Sequence, residues 1–167
     1  QINYSPIADK NLAQGYMKYF PNVSGFHAVS SAIGKEAEKY NAKPQNITVI
    51  HPAVKGTLIN YNSIKKTKDS KKSFKIISVG RCHWKKGYTF SLDAMAILKK
   101  ERVNFTYTII ASGMDHENID YQIYDLGLDG LINFINGLPH DEVIEKISES
   151  DLFILPSVEE GISNAVL

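Results

Sequence analysis

The residue types best suited to chemistry lie in a short cationic loop, residues 80–87, which reads Gly-Arg-Cys-His-Trp-Lys-Lys-Gly. Arg81 can form two parallel hydrogen bonds to a phosphate group, and Lys86 supplies a mobile point charge. The chain has 17 Lys and only two Arg, which makes an arginine at this position distinctive. The loop also precedes a helical pattern, and the backbone amides at the start of a helix favour anions. Bounded by Gly80 and Gly87, it indicates a phosphate site, with a solvated helix start as an equally good interpretation of the lysines.

A second loop, residues 156–164, places two glutamates directly after another apolar run. Glu160 is suited to accept hydrogen bonds from ligand hydroxyls. The backbone amides that follow it would face an anion, namely those of Gly161, Ile162, Ser163 and Asn164. The simpler alternatives are that Ser163 caps a helix starting at 163 or 164, and that a glutamate is only a solvated loop charge. A carboxylate beside a phosphate site repels the ligand unless that ligand also offers hydroxyls. A nucleoside diphosphate sugar offers both.

Apolar runs and amphipathic segments alternate around these two loops. Short runs rich in Ile and Phe predict buried parallel strands at residues 74–79, 105–111, 131–135 and 152–155. Helical spacing between them is shown by three apolar stripes: Phe90, Ala94, Met95 and Leu98, then Ile119, Ile123 and Leu126, then Val143, Ile144 and Ile147. This order predicts an α/β protein with a Rossmann-like, doubly wound parallel sheet. The common strand order 3-2-1-4 would put the ligand crevice between the first and fourth strands, beside both loops.

The first half of the chain is electrically different from the second. Residues 1–75 carry 12 Lys against four acids, a balance of +8, whereas residues 76–167 carry seven Lys and Arg against 14 acids, a balance of −7. The first half predicts helices at 7–19 and 30–40 and strands at 25–29 and 47–50. We therefore expect three parts: the end of one domain at 1–54, a lysine-rich linker at 55–73, and most of a second domain at 74–167.

Composition and motifs exclude several classes of protein. The single cysteine, Cys82, cannot form an internal disulfide, and the five scattered histidines form no metal-binding motif. Residues 80–87 are neither the Gly-x-Gly-x-x-Gly fingerprint of a dinucleotide-dependent enzyme nor a Walker loop. No apolar run is long enough to span a bilayer, and no signal peptide begins the chain. The lysine run lacks the aromatic and arginine residues typical of nucleic-acid binding, so we expect no nucleic-acid partner.

Four landmarks in this chain resemble retaining glycosyltransferases of family 4, which have the GT-B architecture of two facing Rossmann-like domains. They match in order and spacing over residues 26–167: Phe26-His27-Ala28-Val29-Ser30; Ser78-Val79-Gly80-Arg81 with Lys86-Gly87; Phe134-Ile135-Asn136-Gly137 with Asp141-Glu142-Val143; and Asp151-Leu152-Phe153-Ile154-Leu155-Pro156-Ser157 with Glu160-Gly161 and Ser163-Asn164. The last resembles the start of the Glu-x7-Glu signature. Any one of these landmarks is weak evidence, and the ordered set is strong.

The resemblance implies roles for the residues of both loops. Arg81 and Lys86, with Gly80 beside them, would bind the donor diphosphate and stabilise the departing nucleotide without a metal ion or other cofactor. Glu160 would contact the donor sugar, and Leu138 and Pro139 would line the base pocket. The family activity would be glycosyl transfer from a nucleotide-diphospho-sugar to a glycan or lipid-linked acceptor, in surface polysaccharide or glycolipid synthesis. The expected location is the cytoplasm, with peripheral contact of the basic first half with anionic membrane.

Both ends of the chain have the appearance of cuts through a longer enzyme. The second glutamate of the signature would fall one position after Leu167, so this chain on its own is expected to be inactive. The alternative function is a non-catalytic module that binds a nucleotide or a sugar phosphate. A dinucleotide-dependent oxidoreductase or epimerase is a third interpretation, and the missing glycine fingerprint argues against it.

Overall fold

The structure is a computed structural model that describes residues 9–53, 73–158, 160 and 162–166. The predicted lysine-rich linker, apart from Ser73, and Gly161 lie outside the described residues. The chain divides into two compact units, one of Gln1–Tyr61 with Glu160–Leu167 and one of Asn62–Glu159. Within the described residues, no helix is long and apolar enough to cross a membrane.

The described part of the first unit contains two parallel strands and two α-helices. In chain order these are helix α1 (Lys10–Tyr19), strand β1 (Phe26–Ala28), helix α2 (Ser31–Glu38) and strand β2 (Ile47–Val49). The side chain of Asp9 caps α1 by accepting from the Asn11 amide at 2.9 Å, and Ser30 caps α2 by accepting from the Ile33 amide at 3.3 Å. The structure confirms the predicted helices and strands of the first half with slightly shorter bounds, and residues 7 and 8 of the first predicted helix lie outside the described residues.

Four half-buried aromatic rings pack together in this unit. Tyr16 stacks on Phe20 with 4.8 Å between ring centroids, and Phe20 meets Phe26 edge-to-face at 5.0 Å. Tyr40 packs edge-to-face against Tyr16 at 5.7 Å. These geometries are the favoured ones for aromatic pairs, and they join α1, β1 and the residues after α2 into one cluster.

The second unit is a four-stranded parallel sheet flanked by helices. Its elements are β3 (Phe74–Arg81), α3 (Tyr88–Lys100), β4 (Phe105–Ser112), α4 (His116–Asp125), β5 (Ile132–Ile135), α5 (His140–Ser148) and β6 (Leu152–Phe153). The strands are ordered β5-β4-β3-β6, and every neighbouring pair is parallel. When the four strands of this sheet are numbered 1 to 4 along the chain, their order is 3-2-1-4, so the predicted doubly wound sheet is confirmed. Its core is built around Leu92, Phe105, Tyr107, Ile109 and Leu128, all at most 1% exposed.

The buried face of α3 differs from the predicted one. The structure buries Tyr88, Ser91, Leu92 and Met95, whereas Phe90 is 61% exposed and Ala94 is also exposed. The prediction was therefore wrong for Phe90 and Ala94. Residues 90 and 92 are separated by about 200° around a helix, so only one of them can face the sheet. Apolar residues lie on both sides of α3, and only the side that carries Leu92 packs against the core.

Candidate functional site

The point where the strand order reverses lies between β3 and β6. β3 pairs with β4 on one side and with β6 on the other, and the next connections leave in opposite directions. A crevice forms at the carboxyl ends of strands at such a position, and ligands of open α/β sheets bind there. The loop that follows β3 and the loop that follows β6 both begin at this edge. The structure therefore has the predicted reversal of strand order, with both loops beside it.

The two loops touch each other directly. The Val158 amide donates a hydrogen bond to the Lys85 carbonyl at 2.9 Å. Gly87 has a left-handed conformation (φ 66°), and a side chain at this position would collide with the backbone carbonyl of Pro156. The loop after β3 thus ends against the loop after β6, and the close approach requires glycine at position 87.

The loop after β3 is arranged as an anion site would be. Arg81 ends the strand and is exposed, and a single 3-10 turn then spans Trp84–Lys86. Helix α3 starts immediately after Gly87, with no side-chain cap and no acid in its first turn. Because the first turn carries no acid, no side-chain charge there opposes the positive end of the helix dipole. The structure thus brings Arg81, Lys86 and a helix N-terminus together in one short segment.

Gly80 makes room for the lysine of this loop. A side chain at position 80 would lie 2.9 Å from the Tyr88 hydroxyl oxygen and 3.4 Å from Cε of Lys86. The Lys86 stem and the Tyr88 hydroxyl therefore pack over the bare backbone of β3. Tyr88, which is 4% exposed, is a site residue that the sequence analysis missed. Its position directly after the Lys86-Gly87 pair, at the end of the cationic loop, could have indicated this.

The neighbouring loop after β4 holds the cationic loop in place from the other side. An Asp115 carboxylate oxygen accepts a hydrogen bond from the Trp84 amide at 2.8 Å. The Cys82 amide donates to the Ser112 carbonyl at 2.8 Å, and Gly113 packs against the Cys82 backbone. Burial, with a further contribution from Asp115, raises the pKa of the Cys82 thiol above 9.0. Asp115 was not recognised as a site residue because its partner lies 31 residues away.

The predicted base-pocket residues lie at the same edge of the sheet, after β5. Gly137 is left-handed (φ 72°) and approaches Ser112 at the end of β4, with 3.6 Å between the Ser112 Cβ and a side chain built at 137. Leu138 and Pro139 follow, and Pro139 precedes the first residue of α5. β4 separates β5 from β3 in the sheet, so Leu138 and Pro139 lie farther along the edge than the two contacting loops.

The remaining predicted residues belong to the other compact unit. Glu160 and Asn164 are exposed, and Ile162 and Ser163 are half-buried. The Ser163 hydroxyl accepts from the Ala165 amide at 3.4 Å, and its carbonyl accepts from the Val166 amide at 3.0 Å. These bonds close a turn at residues 163–166. A helix that starts at 163 or 164 would continue beyond the described residues.

A family model for group 1 glycosyl transferases matches residues 60–167, which is most of the chain. The chain belongs to this family. Curated relatives of similar sequence include the amylovoran biosynthesis glycosyltransferase AmsK of Erwinia amylovora, 33% identical over 84 residues, and the 2-deoxystreptamine glucosyltransferase of Streptomyces kanamyceticus, 26% identical over 89 residues. These alignments cover 50% and 53% of this chain, but 21% and 23% of the relatives. This group 1 chain thus spans about a fifth of the length of these two relatives.

Solved structures of glycosyltransferases share the fold of this group 1 chain. Anabaena Alr3699/HepE, crystallised in complex with UDP-glucose, superposes with a TM-score of 0.74 at 18% sequence identity. That superposition covers 97% of this chain and 46% of the Anabaena protein. Because the sequence identity is low, this similarity establishes the fold of the chain and not the ligand that it binds.

Proposed function

We propose that this chain carries the donor-binding part of a retaining glycosyltransferase of family 4, which transfers a glycosyl group from a nucleotide-diphospho-sugar to a glycan or lipid-linked acceptor. The domain limits would be those expected from the sequence, with the donor domain at 74–167. Membership of the group 1 family supports the reaction class. Named relatives act in polysaccharide synthesis, as the amylovoran enzyme does, which supports a role in surface polysaccharide or glycolipid production.

One observation carries the proposal of a donor site. Two loops of opposite chemical character, one cationic and one leading to Glu160, contact each other at the reversal point of the sheet through Val158 and Lys85. A ligand in that crevice would meet cations and helix amides on one side and the start of an acidic segment on the other. A phosphate joined to a hydroxyl-rich sugar matches both kinds of partner.

The roles of the individual residues follow from their chemistry. Arg81 and Lys86 would bind the diphosphate and stabilise the negative charge that develops on it as the glycosyl bond breaks. Glu160 would accept hydrogen bonds from the sugar hydroxyls, and the amides of residues 161–164 would face the sugar and phosphate. Leu138 and Pro139 would contact the base. Fixed cations perform the task that a divalent metal performs in other transferases, so we propose a metal-independent reaction.

We also propose a cytoplasmic location, with peripheral contact to anionic membrane through the basic first half. Sugar nucleotides are charged and need a soluble site, and lysine clusters are attracted to anionic lipid. Flotation with vesicles containing anionic lipid should carry the protein upward at low salt, and vesicles of neutral lipid should not. Equal recovery with both kinds of vesicle would rule out the membrane contact.

The decisive experiment uses the protein as its natural gene encodes it. A panel of UDP-, GDP-, ADP- and dTDP-sugars is tested for release of nucleoside diphosphate, with and without a chelator, and the product anomer is assigned by NMR. We expect turnover of one donor, resistance to the chelator and retention of the anomeric configuration. Binding without turnover would identify the alternative, a non-catalytic module, and no binding would refute the donor site.

A paired substitution tests the assigned cations. Arg81→Ala with Lys86→Ala should abolish transfer, because charge stabilisation of this kind contributes about 10²–10³ per group in kcat. The matched control is Lys100→Ala with Arg102→Asn. It removes the same charge at the far end of α3, and asparagine tolerates the left-handed backbone of Arg102 (φ 58°). Equal activity of the two double variants would contradict the roles of Arg81 and Lys86.

A further inference from the structure

A buried group of three hydroxyls lies directly beneath the candidate site. It consists of Ser78 on β3, Tyr107 on β4 and Ser91 on α3, which we call the hydroxyl cluster. Ser78 and Tyr107 are fully buried, and Ser91 is 4% exposed. Hydroxyls in such a position are expensive to bury unless they bond to one another, so their arrangement is specific.

The members of the cluster are within hydrogen-bond distance of each other. The Tyr107 hydroxyl donates to the Ser78 Oγ at 2.8 Å, and the Ser91 Oγ lies 2.9 Å from the Tyr107 oxygen. The Ser78 hydroxyl in turn donates to the Ile154 carbonyl at 2.7 Å, and the Ser91 hydroxyl lies 2.7 Å from the Tyr88 carbonyl. Four short contacts therefore join three hydroxyls to two backbone carbonyls.

Counting hydrogens gives this chain of bonds a direction. A carbonyl oxygen only accepts, so Ser78 donates to Ile154 and Ser91 donates to Tyr88. The single Tyr107 hydrogen then faces both serine oxygens, and the bonds run outward from Tyr107 toward the two carbonyls. Hydrogen bonds aligned in one direction polarise and strengthen each other. Burial raises the pKa of the Tyr107 hydroxyl, so it stays protonated and keeps its place as a donor.

The two ends of the chain are the roots of the two site loops. Tyr88 directly follows Gly87, at the end of the cationic loop. Ile154 is two residues before Pro156, whose carbonyl packs against Gly87, and four residues before Val158, whose amide bonds to Lys85. The loops are thus joined twice, once at the surface by their own contacts and once underneath by the hydroxyl cluster.

We propose that Ser78, Tyr107 and Ser91 are positioning residues that hold the cationic loop and the loop after β6 at the spacing required by a donor that contacts both. The inference rests on the proposed function. Packing alone does not explain the cluster, because apolar residues of the same shape at these three positions would be about as stable. Hydrogen bonds have preferred lengths and directions, whereas apolar contacts slide, so the hydroxyls set a spacing that apolar residues would not.

The test compares two probes of different reach. A nucleoside diphosphate contacts the cationic loop, whereas the matching nucleotide-diphospho-sugar extends to the loop after β6. The base and sugar are those that the natural protein turns over in the donor panel described above. Calorimetry then measures both affinities for the wild type, for Ser78→Ala, which frees the Ile154 carbonyl, and for Tyr107→Phe, which breaks the chain of bonds in the middle.

We expect each variant to bind the nucleotide sugar about fivefold more weakly, which corresponds to about 1 kcal/mol, and the nucleoside diphosphate within twofold of wild type. Ile109→Val is the matched control. It removes one methylene-sized group from the same buried face of β4, without touching a hydrogen bond, and should leave both affinities within twofold of wild type.

Three outcomes overturn the inference or separate it from the proposed function. If both variants bind the nucleotide sugar as wild type does, the cluster has no positioning role. If both probes weaken by the same factor, or if Ile109→Val has the same effect, the cluster contributes only general stability. If the wild-type protein binds no nucleotide sugar in the panel, the proposed function itself has failed, and the inference fails with it.

Discussion

Replacing Gly87 with alanine tests the contact that joins the two site loops. The residue has φ 66°, a backbone conformation that costs alanine about 1–2 kcal/mol. The new side chain would also lie 2.9 Å from the Pro156 carbonyl carbon and closer still to its oxygen. Ordinary contact begins near 3.4 Å, so the Pro156 carbonyl oxygen must move by about 1 Å or more. A backbone carbonyl, unlike the end of a flexible side chain, moves only together with its loop.

Gly130 provides a matched control for the conformational cost. Its φ is 76°, and a side chain built there has no atom within 4 Å. Gly130→Ala should therefore lower the free energy of unfolding by about 1–2 kcal/mol and leave donor affinity unchanged. Gly87→Ala should lower it by about 2–4 kcal/mol, because displacing Pro156 also strains or breaks the Val158–Lys85 hydrogen bond.

The functional effect should separate the two variants further. Displacement of the loop after β6 by about 1 Å should weaken the binding of the nucleotide sugar about tenfold, since small misplacements of positioning groups are costly. Urea denaturation followed by circular dichroism gives the stabilities, and calorimetry gives the affinities. The reasoning is refuted if the two alanine variants lose stability equally, or if Gly87→Ala binds the donor as the wild type does.

The remaining predictions concern the core and the neighbouring loop. Leu92→Ala should cost about 2–5 kcal/mol in urea denaturation, whereas Phe90→Ala should cost less than about 1 kcal/mol, because only Leu92 is buried; similar losses would refute the assigned face of α3. Asp115→Ala should weaken donor binding by removing the acceptor of the Trp84 amide, and Asp115→Asn should restore it, since its amide oxygen can accept the same bond; equal affinity of the two variants would argue against this role. The folded Cys82 thiol binds its proton more tightly than the unfolded one, so its contribution to the free energy of unfolding should fall as the pH rises above 9.0. Cys82→Ala should remove this part of the loss, which urea denaturation at a series of alkaline pH values would measure.

The fold could be predicted from the sequence because each element has its own local signal. Runs such as 105–111 are apolar without interruption, and the glycines and prolines that end them mark the strand boundaries. Once the order of strands and helices is known, the right-handed crossover rule leaves few possible topologies. The cationic loop was likewise visible, because Arg81, Lys86 and their flanking glycines are close together in the chain.

Errors in the prediction arose where more than one face or partner was available. Phe90 and Leu92 are equally apolar, and periodicity alone could not choose between them. Tyr88 and Asp115 were missed because a tyrosine and an aspartate have many possible roles, and only their partners show which one applies.

The sequence by itself determined the strand-forming segments, the residue types of the two loops and the family to which the chain belongs. Only the tertiary structure decided that the carbonyl of Pro156 packs against Gly87 and that Ser78, Tyr107 and Ser91 form one cluster. The physical reason is the parallel sheet. It places β3 and β6 side by side although more than 70 residues separate them in the chain, and local sequence patterns contain no information about a hydrogen bond across that separation.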